Sequence, residues 1–228
     1  MTRSELLAGV AALVLVVGGC ATQAPPSVLT GAARHATEVA LPPPATDGPM
    51  SLEQALARRR SHREFRPDPL PLATIGQLLW AGQGITDRTG KRTAPSAGAL
   101  YPLELYVVTA AVLMHYQPRG HRVEIRGAAG GRERLSAAAY GQASVDTAPD
   151  IIVVAAVVQR TRVKYGARAQ AFVDREAGHA AQNILLEATA RGLASVPVGS
   201  VDPARAASAL GLPPDETVVY LIPVGYAR

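Results

Sequence analysis

The sequence predicts an α+β fold in which one mixed central sheet is flanked by helices on both faces. Three stretches carry that expectation. The run IIVVAAVV, residues 151–158, is continuously apolar and rich in β-branched side chains, the pattern of a central strand buried on both faces. Residues 167–191 repeat small apolar side chains at helical spacing, including Ala177, Ala180, Ala181, Ile184 and Ala188, and Gly192 closes the helix. MHYQPRGHRVEIRG, residues 114–127, reads as a hairpin turning at residues 118–120. It interrupts the strand-helix-strand repetition that a doubly wound parallel sheet requires.

The elements follow in chain order. Arg3 precedes an unbroken apolar or small run over residues 6–19, shorter than the roughly 20 residues a membrane-spanning helix needs, so residues 1–20 read as a signal segment. VGGC, residues 17–20, resembles the bacterial lipobox, which makes Cys20 the lipidated first residue of a mature envelope lipoprotein. Translation from Met50 would instead give a cytoplasmic protein. Residues 21–49 carry Pro25, Pro26, Pro42, Pro43, Pro44 and Pro49 with little apolar periodicity, and are expected to be a tether to the domain at 50–228. Ser51 and Gln54 form a capping box ahead of LEQALARRR, where Leu52, Ala55 and Leu56 share one face. A second helix is expected over LATIGQLLWAGQG, residues 72–84, and a strand over residues 104–109. Residues 132–140 are expected helical. After the long helix, residues 195–198 read as a short strand, residues 203–210 as a helix capped by Asp202, and residues 218–224 as the last strand.

The formal charge is +5, but the basic residues are dispersed and, apart from Lys91 and Lys164, all arginine; with few aromatics this argues against a nucleic-acid surface. A lone cysteine excludes an intrachain disulfide and a cysteine-built metal site. His62, His115 and His121 lack a second ligand at useful spacing, and no metal is expected.

Three segments are candidates for chemistry. RRRSHREF, residues 58–65, gathers Arg59, Arg60 and Arg63 around Ser61 at a helix end, and guanidinium forks suit phosphate. APSAGAL, residues 94–100, holds Pro95, Ser96, Ala97 and Gly98. Side chains this small let backbone N–H and C=O groups approach a flat ligand. GLASVPVGS, residues 192–200, sets a similar turn at Pro197, Val198, Gly199 and Ser200. Together they suggest a planar phosphorylated cofactor.

The order RRSHREF, APSAGALYPLELYVV, KYGARAQAF, EAGHAAQN, GLASVPVG and LGLPPDETVVYLIPVG resembles the nitroreductase superfamily, in particular its SagB-type and thiazole-oxidase-type dehydrogenase branch, over residues 50–228. The resemblance implies an FMN-binding fold working as a homodimer, with the flavins at the dimer interface. It places Arg59, Arg60, Ser61 and Arg63 at the FMN phosphate and ribityl chain, with Arg228 as a further cation. Pro95 to Gly98 would lie along the isoalloxazine from the partner subunit, and Pro197 to Ser200 would face its reactive edge. Nitroreductases often carry an acidic residue where Gly199 stands, so that contact is not carried over. Lys164 and Tyr165 match the pair implicated in azoline oxidation, with Lys164 removing a proton as hydride leaves for the flavin. The implied activity is FMN-dependent transfer between a donor, NAD(P)H among them, and a nitroaromatic, quinone or other electron-poor acceptor. Azoline-to-azole dehydrogenation of a modified peptide and non-catalytic flavin binding are the alternatives.

Overall fold

The computed structural model describes residues 37–128 and 131–228. The signal segment, Cys20 and the first part of the expected tether lie outside the described residues. Among the described residues seven strands form one sheet: β1 (Thr37–Ala40), β2 (Leu103–Val108), β3 (Val112–Gln117), β4 (Arg122–Ala128), β5 (Asp150–Ala156), β6 (Leu193–Ser195) and β7 (Thr217–Tyr226), in the order β1-β4-β3-β2-β5-β7-β6. Every pairing is antiparallel, where a mixed sheet was expected. The reason lies in the connections: β2, β3 and β4 are joined by tight turns, and β6 and β7, neighbours joined through a helix, still run in opposite directions.

Side-chain alternation along β2 and β5 divides the core. Leu103, Leu105, Val107, Ile152, Val154 and Ala156 point to one face, under α2 (Leu72–Gln83) and α6 (Ala169–Ala190). Tyr106, Val108, Ile151, Val153 and Ala155 point to the other, under α3 (Gly131–Ala138), α4 (Ala143–Thr147) and α7 (Pro203–Leu210). All of β5 is buried, as its unbroken apolar run requires. The small inner face of α6 lets α2 come close: a Cβ on Gly82 would stand 2.9 Å from Ile184 Cδ1.

The end of the expected tether belongs to this domain. β1 pairs with β4, Leu41 is buried against Gly76, and Ala45 exchanges backbone hydrogen bonds with the side chain of Gln77 at 2.9 and 3.0 Å. Proline did not prevent this because β1 ends before Pro42 and sits at the sheet edge, where a missing donor is tolerated. Two further boundaries differ from expectation. The long helix is preceded by a separate helix α5 (Val158–Tyr165) and a 3-10 turn at Gly166–Arg168, and β6 lies at 193–195, with Val198 making only an isolated bridge to Leu221.

Candidate functional site

The basic segment begins where α1 (Leu52–Arg58) ends. Ser51 caps its start by accepting from the Gln54 N–H at 3.2 Å. At its end the guanidinium of Arg60 donates to the carbonyls of Ala57 and Arg59 at 3.1 and 2.7 Å, satisfying acceptors that the last turn leaves open. The chain then runs extended: His62 N donates to Ser195 O at 3.0 Å, Phe65 bridges Ala227, and Arg66 N donates to Tyr226 O at 2.9 Å. These contacts line a cleft with Arg58, Arg60, His62, Gly192, Ala194 and Ala227. Among the described residues no carboxylate comes within ion-pair distance of Arg58, Arg59, Arg60 or Arg63, whereas Arg66, Arg122, Arg126, Arg160 and Arg191 all have one. Ser61 is exposed in the same segment.

The 197–200 turn continues from β6 along β7. Val198 is buried and clamped to Leu221 by backbone bonds of 2.8 and 3.0 Å, so Gly199 and Ser200 are presented outward on a fixed backbone. Gly199 passes over Tyr220, where a Cβ would stand 3.2 Å from Cε1. Arg228 is exposed one residue past Ala227.

The second group forms around the 94–101 loop. Ala94 is buried, and a 3-10 turn follows at Ala97–Ala99. Gly98, Ala99 and Tyr101 have φ of +66°, +54° and +46°, so two non-glycine residues are held in a sparsely populated region, as is common where a backbone is shaped for function. Ser96 Oγ accepts from Tyr101 N at 2.9 Å, and the Arg92 guanidinium lies 4.5 Å from the Tyr101 ring while donating to Gln83. Lys164 and Tyr165, on α5, reach this turn: a Cβ on Gly98 would stand 3.1 Å from both Lys164 Nζ and Tyr165 Oη. Arg160, one turn earlier, donates to Tyr101 O at 3.2 Å and pairs with Glu104 at 2.6 Å. Burial would raise the Glu104 pKa, but the His115 hydrogen bond and the Arg160 charge carry it below the ordinary value.

Sequence reasoning missed Glu176. It is buried in α6 near Ser96, Ala97 and Arg92, and its Oε1 has no hydrogen-bond partner. Burial pushes its pKa up to about 7, against the hydrogen bond from Ser96 and the nearby charge of Arg92. The available signal was its place in EAGHAAQN, on the same helical face as Val173, Ala177 and Ala180. Of the other polar residues on that helix, Asn183 makes an internal hydrogen bond to Thr93 O at 3.3 Å, and His179 and Gln182 are exposed.

The structure therefore sets the candidate residues in separate groups. Arg60 lines the cleft with Arg58 and His62, next to Arg59, Ser61 and Arg63 in the chain; Arg228 follows Ala227 at its rim, and the 197–200 turn lies farther along β7, at Tyr220 and Leu221. Pro95 to Gly98, Lys164 and Tyr165 form another group. The turn and the basic cleft stand apart: Glu176 lies near the turn and Thr189 in the cleft, and the α6 segment between these residues is about 20 Å long at 1.5 Å per residue.

Comparison with known proteins bears on this arrangement. A Methanocaldococcus jannaschii protein described as a nitroreductase is 41% identical over 158 residues, covering 66% of this chain and 79% of its own. The NADH dehydrogenase of Thermus thermophilus is 29% identical over 205 residues, 78% of this chain and 87% of the relative. A crystal structure of a protein from Ralstonia eutropha JMP134, also described as a nitroreductase, superposes with a TM-score of 0.76 at 32% identity, covering 84% of this chain and 90% of that one. The NADPH:FMN oxidoreductase of Vibrio harveyi, complexed with NAD+, shares the fold with a TM-score of 0.57 at 22% identity, covering 78% and 69%. Residues 56–226 match the nitroreductase family, and the chain belongs to it.

Proposed function

We propose that this chain is an FMN-dependent oxidoreductase that works as a homodimer. It would pass electrons from a donor, NAD(P)H being the first to test, to a small electron-poor acceptor of the nitroaromatic or quinone type. The observation that carries this reading is the division of the site into a cation-rich cleft and a bare backbone turn on one chain. A two-fold partner would close each cleft with the other copy's turn.

The residues fit the cofactor. Arg59, Arg60 and Arg63 offer guanidinium groups that no protein carboxylate neutralises among the described residues, as an anionic phosphate requires. Gly98 and Gly199 occupy places where a Cβ would crowd a neighbour, which leaves backbone bare beside a flat ring. Arg59, Arg60, Ser61, Arg63 and Arg228 would hold the phosphate and ribityl end. Pro197 to Ser200, with Pro95 to Gly98 of the second copy, would flank the ring.

When bound, FMN supplies the hydride and electron chemistry. The chain's own work is placement and charge. The arginines offset the phosphate, the Val198 to Leu221 bonds fix the turn that faces the ring, and Lys164 Nζ and Tyr165 Oη hold protons beside Gly98. A second reading, azoline-to-azole dehydrogenation in the SagB-type manner, is favoured by that same placement of Lys164, which suits a base at the ring face. We further infer that Cys20 anchors the protein as an envelope lipoprotein, which mass spectrometry of the mature N-terminus tests.

The deciding experiment is to load the purified chain with FMN and reduce it anaerobically with NADH or NADPH. A yellow dimer whose colour bleaches and returns with quinone supports the reading. Protein that stays colourless in excess FMN overturns it, and flavin that no donor reduces leaves a non-catalytic flavin-binding protein. Replacing Lys164 by Ala is expected to abolish azoline oxidation, if that is the reaction, with flavin retained.

A further inference from the structure

We propose that the cavity between Arg92 and Arg119 binds the carboxylate of a small organic acid. The cavity has a volume of about 370 Å3 and is walled by Ile85, Arg92, Tyr101, Glu104, Gln117 and Arg119. Three parts of the chain meet there: the loop after α2, the end of the 94–101 turn and the tip of the β3–β4 hairpin. It shares no residue with the basic cleft at Arg58 and Arg60. Its size falls among small-molecule pockets, on the order of 300–1,000 Å3, and Ile85, Ala99 and Pro118 offer an apolar surface to the body of an organic ligand.

Arg92 is the group that calls for an anion. It is half-buried, its Nη1 donates to Gln83 Oε1 at 2.7 Å, its guanidinium lies 4.5 Å from the centre of the Tyr101 ring, and Nε is buried with no partner. Among the described residues no carboxylate comes within ion-pair distance of it; Glu104 and Glu176 act on it only from farther away. Glu104, although in the cavity wall, is already engaged: Oε1 meets Arg160 at 2.6 Å and Oε2 meets His115 at 2.8 Å. Arg119 is exposed at the hairpin tip and adds a second cation. With Glu104 matched by Arg160, the two wall arginines leave the cavity with excess positive charge, and guanidinium donors suit a carboxylate. The loop that presents Arg92 is braced from within. Ile85 bridges Arg92, Thr86 N donates to Lys91 O at 2.8 Å, and Asp87 Oδ1 accepts from Thr89 N and Lys91 N at 2.9 and 3.0 Å. A site fixed in advance loses little to ordering when a ligand binds.

The test uses benzoate as the probe and benzamide, its neutral counterpart of the same shape, as the comparison. Both are titrated into the full chain at low salt and neutral pH, with affinity read by calorimetry and position by the backbone amide shifts in nuclear magnetic resonance. Benzoate is expected to bind at least roughly tenfold more tightly than benzamide, the scale of a hydrogen bond to a charged group. Its shifts should centre on residues 85–92 and 117–120, and Arg92→Gln should weaken it by roughly tenfold or more. Benzamide binding as tightly as benzoate, shifts confined to residues 58–63, or unchanged benzoate affinity in Arg92→Gln overturns the proposal. Should Arg92→Gln fail to fold, Arg119→Gln changes only an exposed hairpin residue and is expected to weaken benzoate roughly threefold and to flatten its salt dependence. An Arg119→Gln variant with unaltered affinity and salt dependence overturns it as well. No step of the test requires FMN, so the outcome is independent of the function proposed above.

Discussion

Gly98 occupies a position where a side chain would cost twice. Its φ of +66° is left-handed, and a Cβ would meet Lys164 Nζ and Tyr165 Oη at 3.1 Å. Gly98→Ala is therefore expected to lose about 1–2 kcal/mol of stability by thermal melting, from the left-handed strain, while remaining folded. It should also weaken FMN binding by roughly tenfold in a fluorescence titration, an effect of about 1.4 kcal/mol, because Lys164 and Tyr165 must move. Glu176 gives a pH dependence of known sign. Its pKa rises from 4.5 in the unfolded chain to about 7 in the fold, so between these values the native state holds a proton that the unfolded state has lost. Its contribution to stability is full below 4.5, declines as pH rises through this window and is gone above about 7. Urea unfolding at several pH values should show this decline in the wild type and its absence in Glu176→Gln. At this scale the arginines and small-residue turns could be named as candidates because their chemistry does not depend on where the chain goes. Glu176 was not, because a helical glutamate reads as exposed until the turn above it is known.

Elements specified by local pattern emerged where the sequence placed them. Asp202 accepts from Arg205 N at 3.0 Å to start α7, Gly211 ends it with φ +61°, and β5, apolar after Asp150, lies inside the sheet between β2 and β7. Elements that depend on distant partners did not. TEVA, residues 37–40, is a strand only because the edge of β4 is there to pair with it, and nothing within four residues of a proline-rich stretch signals that edge. Helix α5 was missed because VQRTRVKY buries only Thr161 and shows no apolar stripe. The junction of β6 and β7 makes an element-level prediction. Gly225 pairs with Ala194 and lies against Pro149, where a Cβ would stand 2.5 Å from Cγ and 2.6 Å from Cδ of a rigid ring. Gly225→Ala is expected to cost about 1–3 kcal/mol by chemical denaturation, since neither the ring nor the strand can yield freely.

At the scale of the whole molecule, the exposed face of α1 and the divided site make one argument. Leu52 and Leu56 are 61% and 53% exposed, although the helix pattern set them on one face with Ala55, and of the three only Ala55 is buried in this chain. Val163, on the helix that carries Lys164, is 80% exposed. On the homodimer proposed above, this open apolar face is where the partner would sit. The sequence named the candidate residues of each group but not the separation of the groups, because the length of α6 between them has meaning only once the helix is laid across the sheet. Replacing both Leu52 and Leu56 by Asp places two charges on that face without disturbing a buried side chain. If the proposed homodimer builds the site, sedimentation should then report a monomer with unchanged far-ultraviolet circular dichroism, and FMN binding should be lost together with the dimer, because each flavin would take the phosphate cleft from one copy and the backbone turn from the other. A charged variant that is monomeric and still binds FMN as tightly as the wild type would show that one chain completes the site alone.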